Sequence, residues 1–363
     1  MKDKIALEEH FAITGMEKYA SDVMSAPIFA DVLRRLVDTE SLRMESMDKA
    51  GIALSILSFY SPGIQSETDL AVAVQVARRA NDFLCEQVVA RHPDRYAGFA
   101  AVPLQDPEAA ANELERCVKQ LGFKGAMVNG YTNVRDENTA AYTDEPKFEV
   151  FWAKAAELGV PIYLHPRDPL PNQQRIYEGH PELLSAAWAF GVETATHALR
   201  LITSGLFDRY PGLNVILGHL GETLPFAIWR VQHMINRRGM CKNLEKNVSR
   251  YLADNFFITT SGNFRTQALL NTMLEVSSDR ILFSTDYPYE SAEEAASWFD
   301  SCPISQRDRV KIGRENAAKL FGLRTAGGSQ PNLRDDETSE PSRTPGGRRG
   351  RIPDRVRNNH RPS

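Results

Sequence analysis

The chain has 363 residues, 42% hydrophobic and 25% charged, an ordinary globular composition with room for one large α/β domain or two smaller ones. A formal net charge of −4 gives no electrostatic case for nucleic acid or an anionic membrane, and no apolar run approaches the roughly 20 residues that span a bilayer. Cys85, Cys117, Cys241 and Cys302 stand far apart with no CxxC pair, which argues against a disulfide scaffold or a cysteine-type zinc site. Met1-Lys2-Asp3-Lys4 lacks the apolar segment of a signal peptide, so a cytoplasmic protein is expected.

A short apolar run, Ile5-Ala6-Leu7, reads as a buried strand and closes in Leu7-Glu8-Glu9-His10-Phe11. Side chains alternate across a strand, so Glu8 and His10 are expected on one side and Glu9 on the other. A carboxylate and an imidazole leaving a strand end together make half of a metal site; a strand-end charge beside a satisfied histidine would look the same. Tyr19 to Arg43 mixes short helical pieces with loop, and Glu40 to Ala50 reads as a helix stopped by Gly51. Ile52 to Ser58 is a nearly continuous apolar strand, broken by Ser61-Pro62-Gly63. An amphipathic helix follows from about Asp69 to His92. Tyr96 to Leu104 is a third strand, and Asp106-Pro107-Glu108 starts a helix with an N-cap followed by proline. Gly125 to Asn129 is a fourth strand, and a helix near Lys147 to Leu158 leads into a fifth, Pro161 to His165.

The second half repeats the rhythm. A helix from about Pro181 to Leu206 precedes the strand Val215 to His219, and another runs from near Glu222 to about Asn236. Phe256 to Thr260 is a seventh strand, followed by a helix from about Thr266. Arg280 to Asp286 is the eighth, followed by helices across Ala292 to Phe299 and Ser305 to Phe321. Continuous apolar strands imply burial on both faces, as in a parallel sheet covered by helices. Eight strand–helix units over about 320 residues fit an α/β fold of the (β/α)8 TIM barrel type with insertions. A doubly wound open sheet is the alternative, weakened by the lack of a G-x-G-x-x-G turn after the first strand. The barrel is expected over 1–323. From 324 to 363 the chain is rich in Gly, Pro, Ser, Arg and Asp, and a disordered polar tail is expected because it has too little apolar surface to offset its ordering.

Catalytic groups of such a barrel gather at the C-terminal ends of its strands. Those ends read Glu8 and His10 on the first strand, Asn129 on the fourth, His165 on the fifth, His219 on the sixth and Asp286 on the eighth. His165, His219 and Asp286 each cap an apolar run directly. One such histidine would read as structural; several, with two carboxylates at the same barrel end, point to a site. His92, His197, His233 and His360 read as structural, whereas His180 is kept as a loop contact to substrate.

Five stretches carry a family resemblance: Ala6 to Phe11, Tyr163 to Arg167, Leu217 to Glu222, Thr260 to Phe264 and Phe283 to Pro288. Together, in order and spread over about residues 4 to 323, they resemble the metal-dependent amidohydrolase superfamily, and within it the non-oxidative hydroxybenzoate decarboxylases that act on γ-resorcylate (2,6-dihydroxybenzoate), 2,3-dihydroxybenzoate and salicylate. Hydrolytic members open with H-x-H and often carry a carbamylated lysine on the fourth strand. This chain has Glu8-x-His10 and Asn129, which points to one metal ion. Retention of His10, which some fungal decarboxylases replace with alanine, resembles the γ-resorcylate branch, as does the loop Arg167 to Pro171. That branch's substrate-lining aromatic has no clear counterpart near Met24.

The resemblance implies that Glu8, His10, His165 and Asp286 ligate one divalent ion, Zn2+ or Mn2+, whose open positions take the substrate. It implies Asp286 as proton donor, with His219 and Glu222 as a supporting pair. Arg230 is read as meeting a substrate oxygen or else forming a surface or interface salt bridge, Phe190 as lining the ring pocket or else as plain core, and His180 and Asn129, by position, as substrate contacts. It further implies a homo-oligomer, dimer or tetramer. Metal-dependent hydrolysis of a lactone or amide on the same scaffold is the alternative, and a catalytically dead binding barrel a third possibility.

Overall fold

Parallel pairing runs around the chain in sequence order. β1 (Lys4–Phe11) pairs with β2 (Ile52–Phe59), and β2 with β3 (Tyr96–Gly98). The third barrel strand then breaks at Phe99. The Phe99 N–H donates back to the Leu57 carbonyl at 2.9 Å, while the Ala100 N–H donates forward to the Gly125 carbonyl at 2.8 Å. β4 (Ala100–Ala101) thus carries the ladder on to β5 (Ala126–Asn129). After β5 an antiparallel hairpin is inserted, β6 (Thr132–Val134) and β7 (Asp136–Ala141). The ladder resumes through β8 (Ile162–His165), β9 (Val215–Leu217), β10 (Phe256–Thr259) and β11 (Ile281–Leu282).

Closure between β11 and β1 comes from single bonds. His10 N–H donates to the Tyr287 carbonyl at 2.8 Å, and Ser284 Oγ to the Leu7 carbonyl at 2.9 Å. Glu9, on the face away from the barrel interior, accepts from the Thr285 N–H at 3.0 Å and hydroxyl at 2.8 Å. The result is the (β/α)8 barrel with insertions. Its interior holds side chains contributed strand by strand, among them Leu7, Ile56, Phe99, Met127, Tyr163, Ile216 and Leu282. A second, larger apolar layer lies between the strands and the outer helices.

This computed structural model describes residues 1–16 and 26–323. The position near Met24 and the tail 324–363 therefore lie outside the described residues. Helix starts follow local chemistry where they are well capped. Asp106 accepts from the Glu108 and Ala109 N–H groups ahead of the helix Pro107–Leu121.

One expected helix differs. The segment from Pro181 to Leu206 becomes helical only over Ala189–Thr203, after two short turns at Pro181–Leu183 and Ser185–Ala187. The cause is tertiary: Asp168 Oδ1 accepts from the Ser185 N–H at 2.7 Å and holds Ser185 at a φ of 58°, which no right-handed helix admits.

Candidate metal centre

Glu8 reaches the barrel mouth through a bulge, not through plain alternation. In the ladder with β2, Leu7 pairs with Ile56 and Glu9 with Leu57, so Glu8 is an extra residue, at a φ of 113°. A bulge re-aims its side chain, here into the same cluster as His10. Three hydroxyls then fix the carboxylate: Tyr163 and Ser261 donate to Oε2, as does Thr259 Oγ1 at 3.2 Å. The other oxygen, Oε1, has no hydrogen-bond partner and lies 3.3 Å from His165 Nε2. Gly218, at the end of β9, makes the room. A Cβ there would meet Glu8 Oε2 at 2.8 Å and Oε1 at 3.0 Å.

His165 Nδ1 faces the Pro166 carbonyl at 2.9 Å, which places the proton on Nδ1 and leaves the Nε2 lone pair directed at the cluster. His10 is held from behind: Arg43 Nη2 donates to its carbonyl, and the Arg43 guanidinium sits 4.7 Å above the Tyr287 ring. His10 Nε2 lies 3.2 Å from Asp286 Oδ1, yet neither atom has a hydrogen-bond partner of acceptable geometry. Glu8, His10, His165 and Asp286 each offer a ligand atom, and these atoms lie within 4.8 Å of one another.

The donor set fits a divalent cation. Buried polar atoms are normally paired, and here Glu8 Oε1, both nitrogens of His10 and Asp286 Oδ1 are all buried without partners. Burial pushes the Glu8 carboxyl up to about 8, against the opposing pull of His219. Burial, with His10 beside it, holds His165 well below its ordinary value, and so neutral as a metal ligand must be. Two nitrogens and two carboxylates suit Zn2+ or Mn2+.

His219 and Glu222 do form a pair, at 2.6 Å from Nδ1 to Oε1. Their spacing suggests an ordinary helical turn. Instead His219, Leu220, Gly221, Glu222 and Thr223 all have positive φ, from 51° to 88°, a left-handed turn ahead of the helix Leu224–Arg238. Such a conformation strains non-glycine residues and persists where the surroundings over-determine it. The Asn263 side-chain N–H donates to the His219 carbonyl at 3.3 Å, and Gly262 lies so close that a Cβ would meet His219 Cδ2 at 2.8 Å. The turn brings His219 Nε2 to 3.5 Å from Asp286 Oδ2 and 3.8 Å from Glu8 Oε1. Lost solvation acts to lower the His219 imidazole, but Glu222 and Glu8 outweigh it and hold it well above its ordinary value. Burial likewise raises Asp286, and the His10 and His219 rings outweigh it and hold that carboxyl below the usual range.

A cavity of about 290 Å³ opens onto His165, His219 and Asp286. Phe190 lines it. Three other candidate contacts fall outside its lining. Asn129 is buried, but its side chain and its own N–H both turn to Gln65 Oε1, at 3.4 and 3.2 Å. Arg230 is exposed, because the helix Leu224–Arg238 buries Leu224, Pro225 and Ile228 instead. His180 is exposed, with Nδ1 3.2 Å from Glu182. Sequence reasoning passed over Tyr131, Arg167 and Tyr289, which do line the cavity. Their signal was position: Tyr131 and Arg167 each lie two residues beyond a barrel strand end, and Tyr289 three beyond Asp286.

Residues 42–323 match the family model described as amidohydrolase. The γ-resorcylate decarboxylase of Rhizobium radiobacter is 49% identical over 328 residues, spanning 89% of this chain and 99% of that protein. Among solved structures, 2,6-dihydroxybenzoate decarboxylase complexed with 2,6-dihydroxybenzoate superposes with a TM-score of 0.86 at 49% identity, over 89% of this chain and 100% of that one. The dihydroxybenzoic acid decarboxylase of Polaromonas sp. JS666, with bound manganese and the inhibitor 2-nitroresorcinol, gives 0.86 at 48% identity, over 90% and 98%.

Proposed function

The chain belongs to the amidohydrolase family, and from that membership and its buried four-residue cluster we infer that it is a carboxy-lyase, a metal-dependent decarboxylase of an ortho-hydroxybenzoate. The reaction is non-oxidative and reversible, giving the phenol and carbon dioxide, with 2,6-dihydroxybenzoate as the first candidate substrate. The observation that carries this reading is the convergence of Glu8, His10, His165 and Asp286, with unpartnered buried atoms, beside a cavity near the small end of ligand pockets, roughly 300 Å³ upward. These four residues would hold one divalent ion; the bound manganese of the similar Polaromonas structure favours Mn2+ over Zn2+. When bound, the ion supplies Lewis-acid polarisation of the acid's carboxylate and ortho oxygen.

The organic chemistry explains the need for an ortho hydroxyl. Direct loss of carbon dioxide from a benzoate would leave a strongly basic aryl anion. Protonating the ring carbon that bears the carboxylate first avoids this, because the ortho oxygen takes up the positive charge as a ketone. The carbon–carbon bond then breaks, carbon dioxide leaves, and its electron pair restores the aromatic ring. Asp286 lines the cavity and is the residue we assign to deliver that proton; its carboxyl is held ionised, so it carries the proton only in passing, from the protonated His219 beside it. Glu222 accepts from His219 Nδ1 and so fixes the ring with Nε2 toward Asp286 Oδ2, where a proton can be returned. Phe190, Tyr131 and Tyr289 supply aromatic walls for a planar ring.

Residues 1–323 are proposed to suffice for turnover, so a chain lacking 325–363 should keep its rate. A cytoplasmic homo-oligomer, dimer or tetramer, is also proposed. The exposed Trp188, Phe226 and Trp229 support association, which sedimentation would measure.

The test is incubation of Mn2+-loaded protein with 2,6-dihydroxybenzoate, 2,3-dihydroxybenzoate and salicylate. Carbon dioxide and the matching phenol are expected from at least one. Cleavage of a lactone or amide with no carbon dioxide from any acid would overturn the reading in favour of a hydrolase.

A further inference from the structure

Arg167 is 8% exposed and lines the cavity. Its Nη1 donates to the Tyr131 carbonyl at 2.8 Å and the Gln65 carbonyl at 3.3 Å, and its Nη2 donates to Asn133 Oδ1 at 2.8 Å. All three acceptors are neutral. Among the described residues no carboxylate forms an ion pair with it; Glu193 and Asp168 act on it only from longer range. Both are engaged elsewhere, Glu193 by the Tyr142 hydroxyl and Asp168 by the Ser185 N–H. The guanidinium lies 3.8 Å from the Tyr131 ring centroid, and Gly130, at a φ of 62°, leaves its stem room: a Cβ there would meet Arg167 Cγ at 2.6 Å.

A buried charge is normally paired, because leaving it unpaired in a poorly solvated wall is costly. The carbonyls, the Asn133 amide and the glycine together fix a cation without neutralising it. The missing negative charge is then that of the ligand. On the decarboxylase reading, on which this inference rests, the ligand's charge changes during turnover. An aromatic acid enters as a carboxylate, gains one proton at the ring carbon, and leaves as a neutral phenol and neutral carbon dioxide. A fixed cation attracts the first and is indifferent to the other two.

We propose that Arg167 is a positioning residue that makes the cavity select an anionic ring over its neutral decarboxylated product, so that substrate is held and product is released. The supporting geometry is a buried guanidinium, hydrogen-bonded only to neutral acceptors, on a residue that lines the cavity. The site thereby recognises charge separately from the four metal-ligating residues.

Two variants test this from opposite directions. Arg167→Gln removes the cation, and Asn133→Asp leaves it in place but gives it a carboxylate partner. Each is assayed Mn2+-loaded, with metal content measured, for its Michaelis constant with γ-resorcylate as substrate and its inhibition by resorcinol. Both variants should raise the Michaelis constant for the acid by about tenfold or more, while resorcinol binding stays within about twofold. Arg167→Lys, which keeps the charge without the planar fork, should restore part of the preference. An unchanged Michaelis constant for the acid in Asn133→Asp, or equal weakening of acid and resorcinol in either variant, would overturn the proposal. Should Arg167→Gln not fold, Asn133→Asp decides. A wild-type protein that releases no carbon dioxide from the acid refutes the decarboxylase reading instead, which the same assay reveals before any variant is compared.

Discussion

His219 Nδ1 lies 2.6 Å from Glu222 Oε1 on a turn in which five successive residues have positive φ. The pair could have been built on an ordinary helix at lower strain. The left-handed turn aims His219 Nε2 at Asp286 while Glu222 holds the far side of the ring. Glu222→Gln keeps the shape and removes the charge. Its kcat should fall by about a hundredfold, the low end of acid–base contributions, with bound metal unchanged. Steady-state kinetics with metal analysis check this; a kcat within about threefold of wild type would remove Glu222 from the proton path.

Gly218 leaves the space beside the Glu8 carboxylate that a Cβ would invade. Gly218→Ala should displace Glu8 Oε1 from its place beside His165 and weaken metal binding by roughly ten- to a hundredfold, as loss of ligand orientation does elsewhere. Competition with a chelator of known affinity measures the shift. Circular dichroism should show an intact barrel, because φ at Gly218 is −74°, open to any residue.

Much of this cluster was legible because each candidate ligand stands where an apolar run ends. His165 follows Ile162-Tyr163-Leu164, and Asp286 follows the eighth strand, so barrel topology alone brings them together. What the sequence hid depends on single hydrogen bonds and local backbone. The Glu8 bulge cannot be seen in an alternation pattern, since one extra residue reverses every side assignment before it. The late start of the helix Ala189–Thr203 depends on Asp168, far back in the chain from the Ser185 it pins. Asn129 looked like a substrate contact because it ends β5, yet Gln65 claims it. Arg167 needed knowledge of which partners it lacks, and that exists only in three dimensions.

His197, which is not part of the four-residue cluster, offers a pH prediction. It is buried in the helix Ala189–Thr203, where Nε2 faces the Thr143 N–H at 3.2 Å and hydroxyl at 2.8 Å. Burial pulls its imidazole down to about 4, from an ordinary 6.5. The unfolded chain therefore takes up this proton below about 6.5 and the folded chain only below about 4. The resulting stability is complete above about pH 6.5 and is lost as the pH falls toward about 4, by roughly 2–3 kcal/mol. Urea unfolding at about pH 7.5 and about pH 4.5 should show wild type losing roughly that much more than His197→Gln; equal losses would mean that the ring is already charged in the folded protein.

The most direct measurement is a titration of metal-free protein with Mn2+ while carbon dioxide release from 2,6-dihydroxybenzoate is followed. Glu8, His10, His165 and Asp286 offer four ligand atoms within 4.8 Å of one another, enough for one ion. Activity should rise from nothing to a plateau at one ion per chain, with resorcinol formed in step with carbon dioxide. A plateau at two ions per chain, or full turnover with a chelator present, would contradict the single-metal decarboxylase.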